Sequence, residues 1–293
     1  MKIGVAIASR GRPDDIANIL KLLACQTLQP HRILLSVTGP ADLPEGLPED
    51  EVEVVTGSPG LCAQRNRALD VLCRDCDIIL FYDDDFIPSR HALQGVAALF
   101  ASNFDIAGAT GLVLDDGICK GGITLDAALK IIRQFDRQFD EHEPGPWRIE
   151  ESTYTYGCNM AFRVNAMRDL RFDECLALYG WQEDVDFSAR VHARGAVVRT
   201  NAFAGVHRGV TRGRSPGRAL GYSQIINPTY LVAKGTMARA HATRLMIRNL
   251  IANHMRALHP EPHIDRRGRA SGNWAGLLDL LRGKKRPENI LRF

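Results

Sequence analysis

Three observations in the sequence predict an α/β fold built on a parallel sheet. Short apolar runs of strand length alternate with stretches of helical periodicity through the first hundred residues, the pattern of strands joined by right-handed helical crossovers. These runs are apolar at consecutive positions, as strands covered on both faces require. A length of 293 residues, 45% apolar and 24% charged, suffices for one large domain with or without an appendage. "KIGVAIA" (2–8) is the first strand. Ser9 to Pro13 turn, and Asp14 and Asp15 open a helix with Ile16, Ile19, Leu20 and Leu23 on one face. "RILLSV" (32–37) is the second strand, followed by a Pro- and Gly-rich loop, and "VEVVT" (52–56) is the third. "GSPGLCAQRNRALDVL" turns into a helix, "DIILFY" (77–82) is the fourth strand, and Ser89 caps the helix "RHALQGVAALFAS".

From about residue 106 the pattern changes. "IAGATGLVL" reads as a strand, 123–139 as a helix, "STYTYGCNMAFRV" as a β segment, and "QEDVDFSARVHARG" as a short helix stopping at Gly195. Residues 230–258 form the longest helical stretch, and the Arg- and Lys-rich end reads as irregular. The boundaries expected are a first half over 1–105, a second half over 106–210, and a basic helical extension over 211–293.

No run of about 18 apolar residues is present, so no spanning helix is expected. The start, "MKIGVAIASRGRP", reads as a strand and not as a secretory signal. Seven cysteines, an odd number, point to free thiols in a reducing, cytoplasmic compartment; Cys73 and Cys76 form an isolated CxxC that reads as buried thiols. Net charge is +3 but uneven: residues 1–186 carry 17 Lys/Arg against 30 Asp/Glu, whereas 187–260 carry 12 Lys/Arg and no acid. Such a basic flank points to a polyanionic ligand or an anionic membrane surface, and nothing in the sequence points to nucleic acid.

Ligands of parallel sheets bind at the carboxyl ends of the strands. The loops after residues 8, 37, 56 and 82 therefore share one rim, and "FYDDDF" (81–86) places Asp83, Asp84 and Asp85 on it. Three adjacent carboxylates repel one another and are driven towards protonation unless a cation or donors lie close. A solvated acidic turn and a divalent-metal site both account for them.

Four segments taken together resemble the family 2 glycosyltransferases, enzymes of the GT-A fold that use nucleotide sugars. They are "IASRGRP" (7–13), "GLCAQRNRALD" (60–70), "FYDDDF" and "YGWQEDVDFSARVHARG" (179–195), in the family's order over roughly residues 2–210. The resemblance implies a three-layer α/β/α sandwich with a mixed sheet and a C-terminal helical appendage. It implies inverting transfer of a sugar from a nucleotide-diphosphate donor, most readily a UDP-sugar, to a saccharide or lipid-linked saccharide in cell-surface polysaccharide or glycan synthesis. Mn²⁺ or Mg²⁺ would hold the diphosphate, as hard oxygen-rich sites do.

By the same resemblance Asp83 contacts the ribose side of the nucleotide, Asp85 ligates the metal, and Asp84 faces elsewhere as the most dispensable of the three. Asp184 is the base and Glu183 orients acceptor or base; the plain alternative is that Glu183, Asp184 and Asp186 are simply acids stabilised at a helix amino terminus. His207 would be a third metal ligand, or simply a satisfied histidine. Ala8, Ser9, Arg10 and Arg12 lie at the nucleotide turn, and Arg65 near the base or diphosphate. The family's second strand usually ends in an Asp that reads uracil; Val37 and Thr38 stand there instead, and Asp42 is the substitute. Tyr156, Cys158, Asn159 and Trp181 fall on the acceptor side. Arg208, Arg212 and Arg214 would close over the diphosphate. The helical stretch 230–258 would pack on the catalytic domain, mediate a homodimer or lie on an anionic membrane.

Three other classes fit less well. A phosphatase of the Asp-nucleophile type also uses DxD, but after its first strand, whereas this one ends the fourth. A sugar-phosphate nucleotidyltransferase would carry a richer glycine loop after its first strand than "SRGRP" and would leave the Glu-Asp-x-Asp segment unexplained. A non-catalytic nucleotide-sugar or glycan-binding module would not need both carboxylate clusters.

Overall fold

Residues 3–8 supply the strand around which the sheet is organised. In the computed structural model, which describes residues 1–48, 50–141, 146–211 and 216–293, β1 (Ile3–Ala8) lies parallel between β2 (Arg32–Val37) and β4 (Ile78–Asp83), and β3 (Val52–Thr56) adds to β2. The other strands are β5 (Phe86–Pro88), β6 (Ile106–Asp116), β7 (Ile149–Glu151), β8 (Asn159–Arg163) and β9 (Ala196–His207). The nine-stranded sheet runs β3-β2-β1-β4-β8-β6-β9-β5, with β7 on β9. β8 is antiparallel to both β4 and β6, and β6 and β9 are parallel. The sheet is therefore mixed, and its two halves share β4–β8 as their seam.

Alternation along the strands sends side chains to two cores. Val5 and Ile7 face α1 (Pro13–Ala24) and, further along the sheet, α3 (Ala92–Ser102), through Ile16, Ile19, Leu23, Leu93 and Leu99. Ala6, Leu34, Ile79 and Phe81 face α2 (Leu61–Leu72) and the opposite layer. That layer also takes in α6 (Glu183–His192), α7 (Gly217–Lys234) and α8 (Arg239–Arg256) through Phe187, Leu231 and Leu245. α4 (Leu125–Glu141) covers the β5–β9 edge, and α5 (Val164–Met167) is a single turn after β8. The C-terminal layer is completed by α9 (Arg266–Leu281).

Three expectations are corrected. The 230–258 helix is two helices, because α7 ends at Gly235, left-handed at φ 85°, whose N–H returns to the carbonyls of Leu231 and Val232. The end of the chain is not irregular: Asp265 caps α9 by accepting the Gly268 N–H at 2.7 Å. Of "STYTYGCNMAFRV", Asn159–Arg163 is the strand; the residues before it are loop that reaches the rim.

The extension is fastened to the sheet domain. Asn227 donates to the Trp181 carbonyl, and Lys234 pairs with Asp173 and Asp186. Its outer face is less satisfied. Ile247, Ile251, Met255 and Leu258 of α8 and its exit, and Trp274, Leu278 and Leu281 of α9, stand in solvent. The His254 ring against Trp274, centroids 5.8 Å apart, joins the two rows. No helix among the described residues is long and apolar enough to cross a membrane.

Candidate active site

The carboxyl ends of β1 and β4 form a recess of about 250 Å³. Ala8, Ser9, Arg10, Arg12, Asp83 and Asp84 all line it, with Tyr179 on the far wall. Six of the eight residues expected at the nucleotide therefore meet. The other two do not face it. Asp42 accepts from the backbone N–H groups of Gly11, Thr38 and Gly39 and from the Thr38 hydroxyl. Burial opposes its charge, but those donors hold its carboxyl below the usual range. Its oxygens brace the first two strand-exit loops against each other, which leaves them poorly placed to read a base. Arg65 is buried and belongs to the acid cluster below.

Asp84 also departs from expectation. It is buried, accepts from Ser9 Oγ at 2.6 Å and pairs with Arg12 at 2.7 Å. Burial lifts its pKa to about 7, with Arg12 only partly offsetting it. Asp84 thus ties the first-strand turn to the end of β4, and "dispensable" does not describe it.

Asp83, Asp85 and His207 come together with one ligand atom from each within 4.8 Å of the others. β9 carries the histidine to the rim because Phe86 of β5 pairs with it. His207 Nε2 stands 3.4 Å from Asp85 and 3.8 Å from Asp83. Its Nδ1 lies 3.0 Å from Asp116, which also accepts from the Tyr156 hydroxyl at 2.8 Å. Such a carboxylate behind a histidine fixes ring and tautomer, a device common at metal-ligating histidines. Two carboxylates, one imidazole and a buttressing acid fit a divalent cation. Burial opposes charging of His207, but Asp116 and Asp85 outweigh it and raise the pKa to about 10 in the metal-free chain. Asp116 was not anticipated; the acid pair closing "LVLDD" at a strand end, like the acid triplet closing "FYDDD", was its signal.

The acceptor-side acids open α6. Glu183 Oε1 is salt-bridged to buried Arg65, while its Oε2 is buried without a partner. Burial raises the Glu183 pKa, and Arg65 offsets this only in part. Arg65 also reaches Asp83 at 3.1 Å and the Gly157 carbonyl at 2.9 Å. Asp184 accepts from the Gly157 N–H at 3.0 Å. Its pKa is raised, first by burial, against the Gly157 and Val185 N–H groups and Arg65. Arg65 thereby joins the metal trio to the acid pair.

Tyr156 lies in this region, whereas other acceptor-side expectations fail. Asn159 is wholly buried between strands, with no hydrogen-bond partner for either end of its carboxamide; β8 pairs it with Tyr82, away from any surface. Cys158 is buried too. Trp181 is half-buried and does not line the groove beside Asp184. Arg208 does not reach the recess, because it pairs with Asp15 of α1 at 2.5 Å. Arg212 and Arg214 lie outside the described residues.

Neither a protein-family model nor a curated protein sequence matches the chain. Solved structures match it in fold. S. aureus TarS 1–349 aligns at a TM-score of 0.58 and 14% identity over 100% of this chain and 91% of that one. The same protein in complex with UDP-GlcNAc aligns at 0.56 and 14%, covering 100% and 92%. GalNAc-T7 with UDP, GalNAc and Mn²⁺ aligns at 0.55 and 12%, over 97% of this chain and 57% of that one. The likeness is one of architecture: the chain has a GT-A fold.

Proposed function

We propose that the chain is a metal-dependent, inverting glycosyltransferase of the family 2 kind. It would move a sugar from a nucleotide-diphosphate donor to a saccharide acceptor, in cell-surface polysaccharide or glycan synthesis. The observation that carries this reading is the Arg65 bridge. It sets a three-ligand metal site against a buried acid pair, so donor and acceptor chemistry meet on one rim. The UDP-GlcNAc and the UDP, GalNAc and Mn²⁺ in similarly folded structures support a UDP-sugar as donor.

In this reading the recess behind Ser9 and Arg10 takes the nucleoside, and Asp83, Asp85 and His207 hold the cation. A divalent ion bound there offsets charge developing on the diphosphate leaving group. The imidazole favours Mn²⁺ over Mg²⁺, which prefers an all-oxygen shell. Asp184 accepts the proton of the acceptor hydroxyl as that oxygen attacks the anomeric carbon. Attack from the face opposite the diphosphate forms the new C–O bond as the old one breaks, inverting the centre. Burial strengthens Asp184 as a base. Glu183, locked by Arg65, positions and does not take the proton.

The membrane contact, in this reading, belongs to the exposed apolar rows of α8 and α9. α8 carries no acid, and Arg244 and Arg248 lie beside its row, as an anionic surface requires. A homodimer through the same face is the competing outcome.

The test is nucleotide release from a panel of UDP-, GDP- and dTDP-sugars with Mn²⁺, with Mg²⁺ and with excess chelator. Release with Mn²⁺, lost in chelator and in Asp85→Ala, is expected. Undiminished release in chelator would sink the metal assignment, and no release from any donor would sink the function.

A further inference from the structure

A groove of about 460 Å³ opens beside Asp184, within the roughly 300–1,000 Å³ of small-molecule sites. Tyr154 and Tyr156 line it together with His241, Leu245 and Arg248 of α8. Three basic side chains, Arg199, His241 and Arg248, line it, and Asp184 is its one carboxylate. Arg199 comes from β9 and Arg248 from α8, so two segments distant in sequence line one groove.

Both arginines are exposed, and neither is among the cations that the described acidic residues neutralise. Among the described residues, Arg190 and Lys234 pair with Asp186, Arg194 with Asp169, Arg208 with Asp15, and Arg256 with Glu261. Part of the acid-free stretch is thus neutralised, while Arg239 and Arg244 form no ion pair among the described residues. Arg199 and Arg248 form no ion pair or hydrogen bond among the described residues. Glu150 stands opposite Arg199 in the β7–β9 register, yet it makes no ion pair with it and does not line the groove.

We propose that this groove is a subsite for an anionic saccharide, whose phosphate or carboxylate groups are held by Arg199 and Arg248 while a hydroxyl lies at Asp184. The inference rests on Asp184 being the base, and it names the acceptor's class. Guanidinium offers donors only, so against neutral sugar hydroxyls two of them would be desolvated without an acceptor of matching charge. Their planar forks match carboxylate and phosphate oxygens in pairs. The tyrosine rings offer flat faces to the sugar between its charges, and His241, its ring centroid 5.9 Å from that of Tyr154, adds a further donor.

Four probes test this by equilibrium binding at low and high salt: tetragalacturonate against its neutral methyl ester, and maltotetraose monophosphate against maltotetraose. The expected result is at least tenfold tighter binding of one charged probe than of its neutral counterpart. Salt should weaken that preference, and Arg199→Gln/Arg248→Gln should remove it. UDP with Mn²⁺, titrated into the same preparations, should bind wild type and variant alike. Equal binding within both pairs, or a preference that survives in the double variant, overturns the proposal. So does a double variant that loses only its binding to phosphatidylglycerol vesicles, which would assign the cations to a lipid surface. Failure of UDP to bind, with charged saccharides still preferred, would overturn the donor assignment and leave this site standing.

Discussion

Asp184 concentrates the conflict between catalysis and stability in one side chain. Burial raises its proton affinity, so the ionised form is the costly one in the folded chain. Its contribution to stability is therefore present below the unfolded pKa and lost as pH rises through the folded value. Asp184→Asn removes that cost while keeping the side chain's shape. Its melting temperature above neutral pH should match or exceed that of wild type, and its UDP titration should be unchanged. Transfer should drop by roughly 10²–10⁴-fold, the usual contribution of a positioned base. Rate, titration and melting curves on one preparation check all three; near-normal transfer would remove Asp184 from the mechanism. The acid clusters themselves were legible, because carboxylates after an apolar strand need partners. Their division of labour was not. Asp83 and Asp85 face His207 while Asp84 turns inward to Ser9 and Arg12. That choice is made by the turn after β4 and by β9, which lies more than a hundred residues away in sequence.

At the scale of elements, β1 and β4 were readable because doubly covered strands are apolar throughout, whereas β3 is a largely exposed edge strand. α9 was not, because Gly268, Gly272 and Gly276 disfavour helix locally. Tertiary contact overrides that preference. A Cβ at Gly272 would stand 2.0 Å from the Arg218 carbonyl, and one at Gly221 2.1 Å from that of Arg269. α7 and α9 thus pack backbone against backbone, and buried Asn273 donates to the Gly221 carbonyl at 2.7 Å between them. Gly272→Ala should force the pair apart and destabilise the extension by about 1–3 kcal/mol, as overpacking does. Hydrogen exchange would show lost protection in α7 and α9, with β1 and β4 little changed. Unaltered protection in α9 would mean that the contact is looser than its geometry implies.

For the whole molecule, the uneven charge along the sequence has two destinations. Part of the basic stretch is absorbed by the acidic body through ion pairs such as Lys234 with Asp186, which no linear count can reveal. Arg199 and Arg248 line the groove, and Arg244 lies beside the apolar row of α8. Flotation with phosphatidylglycerol vesicles should carry the protein upward and phosphatidylcholine vesicles should not, with the difference shrinking at high salt. Ile251→Glu/Met255→Glu should abolish it. A wild-type chain that ignores both vesicles but sediments as a dimer, and as a monomer in that variant, would give the face to a second copy.

The placement of Asp85 in the turn between β4 and β5 and of His207 at the end of β9, far apart in sequence, bears on how the chain can be handled before any substrate is known. An ion clasping both would act as a reversible cross-link, closing residues 85–207 into a loop anchored at the rim. Binding only the folded form, it adds RT ln(1 + [L]/Kd), about 2.7 kcal/mol at a hundredfold excess over Kd. Mn²⁺ alone should then raise the melting temperature and slow proteolysis, and chelator should reverse both. His207→Ala should blunt the response, so occupancy of the clasp can be followed with neither a donor nor an acceptor in the tube.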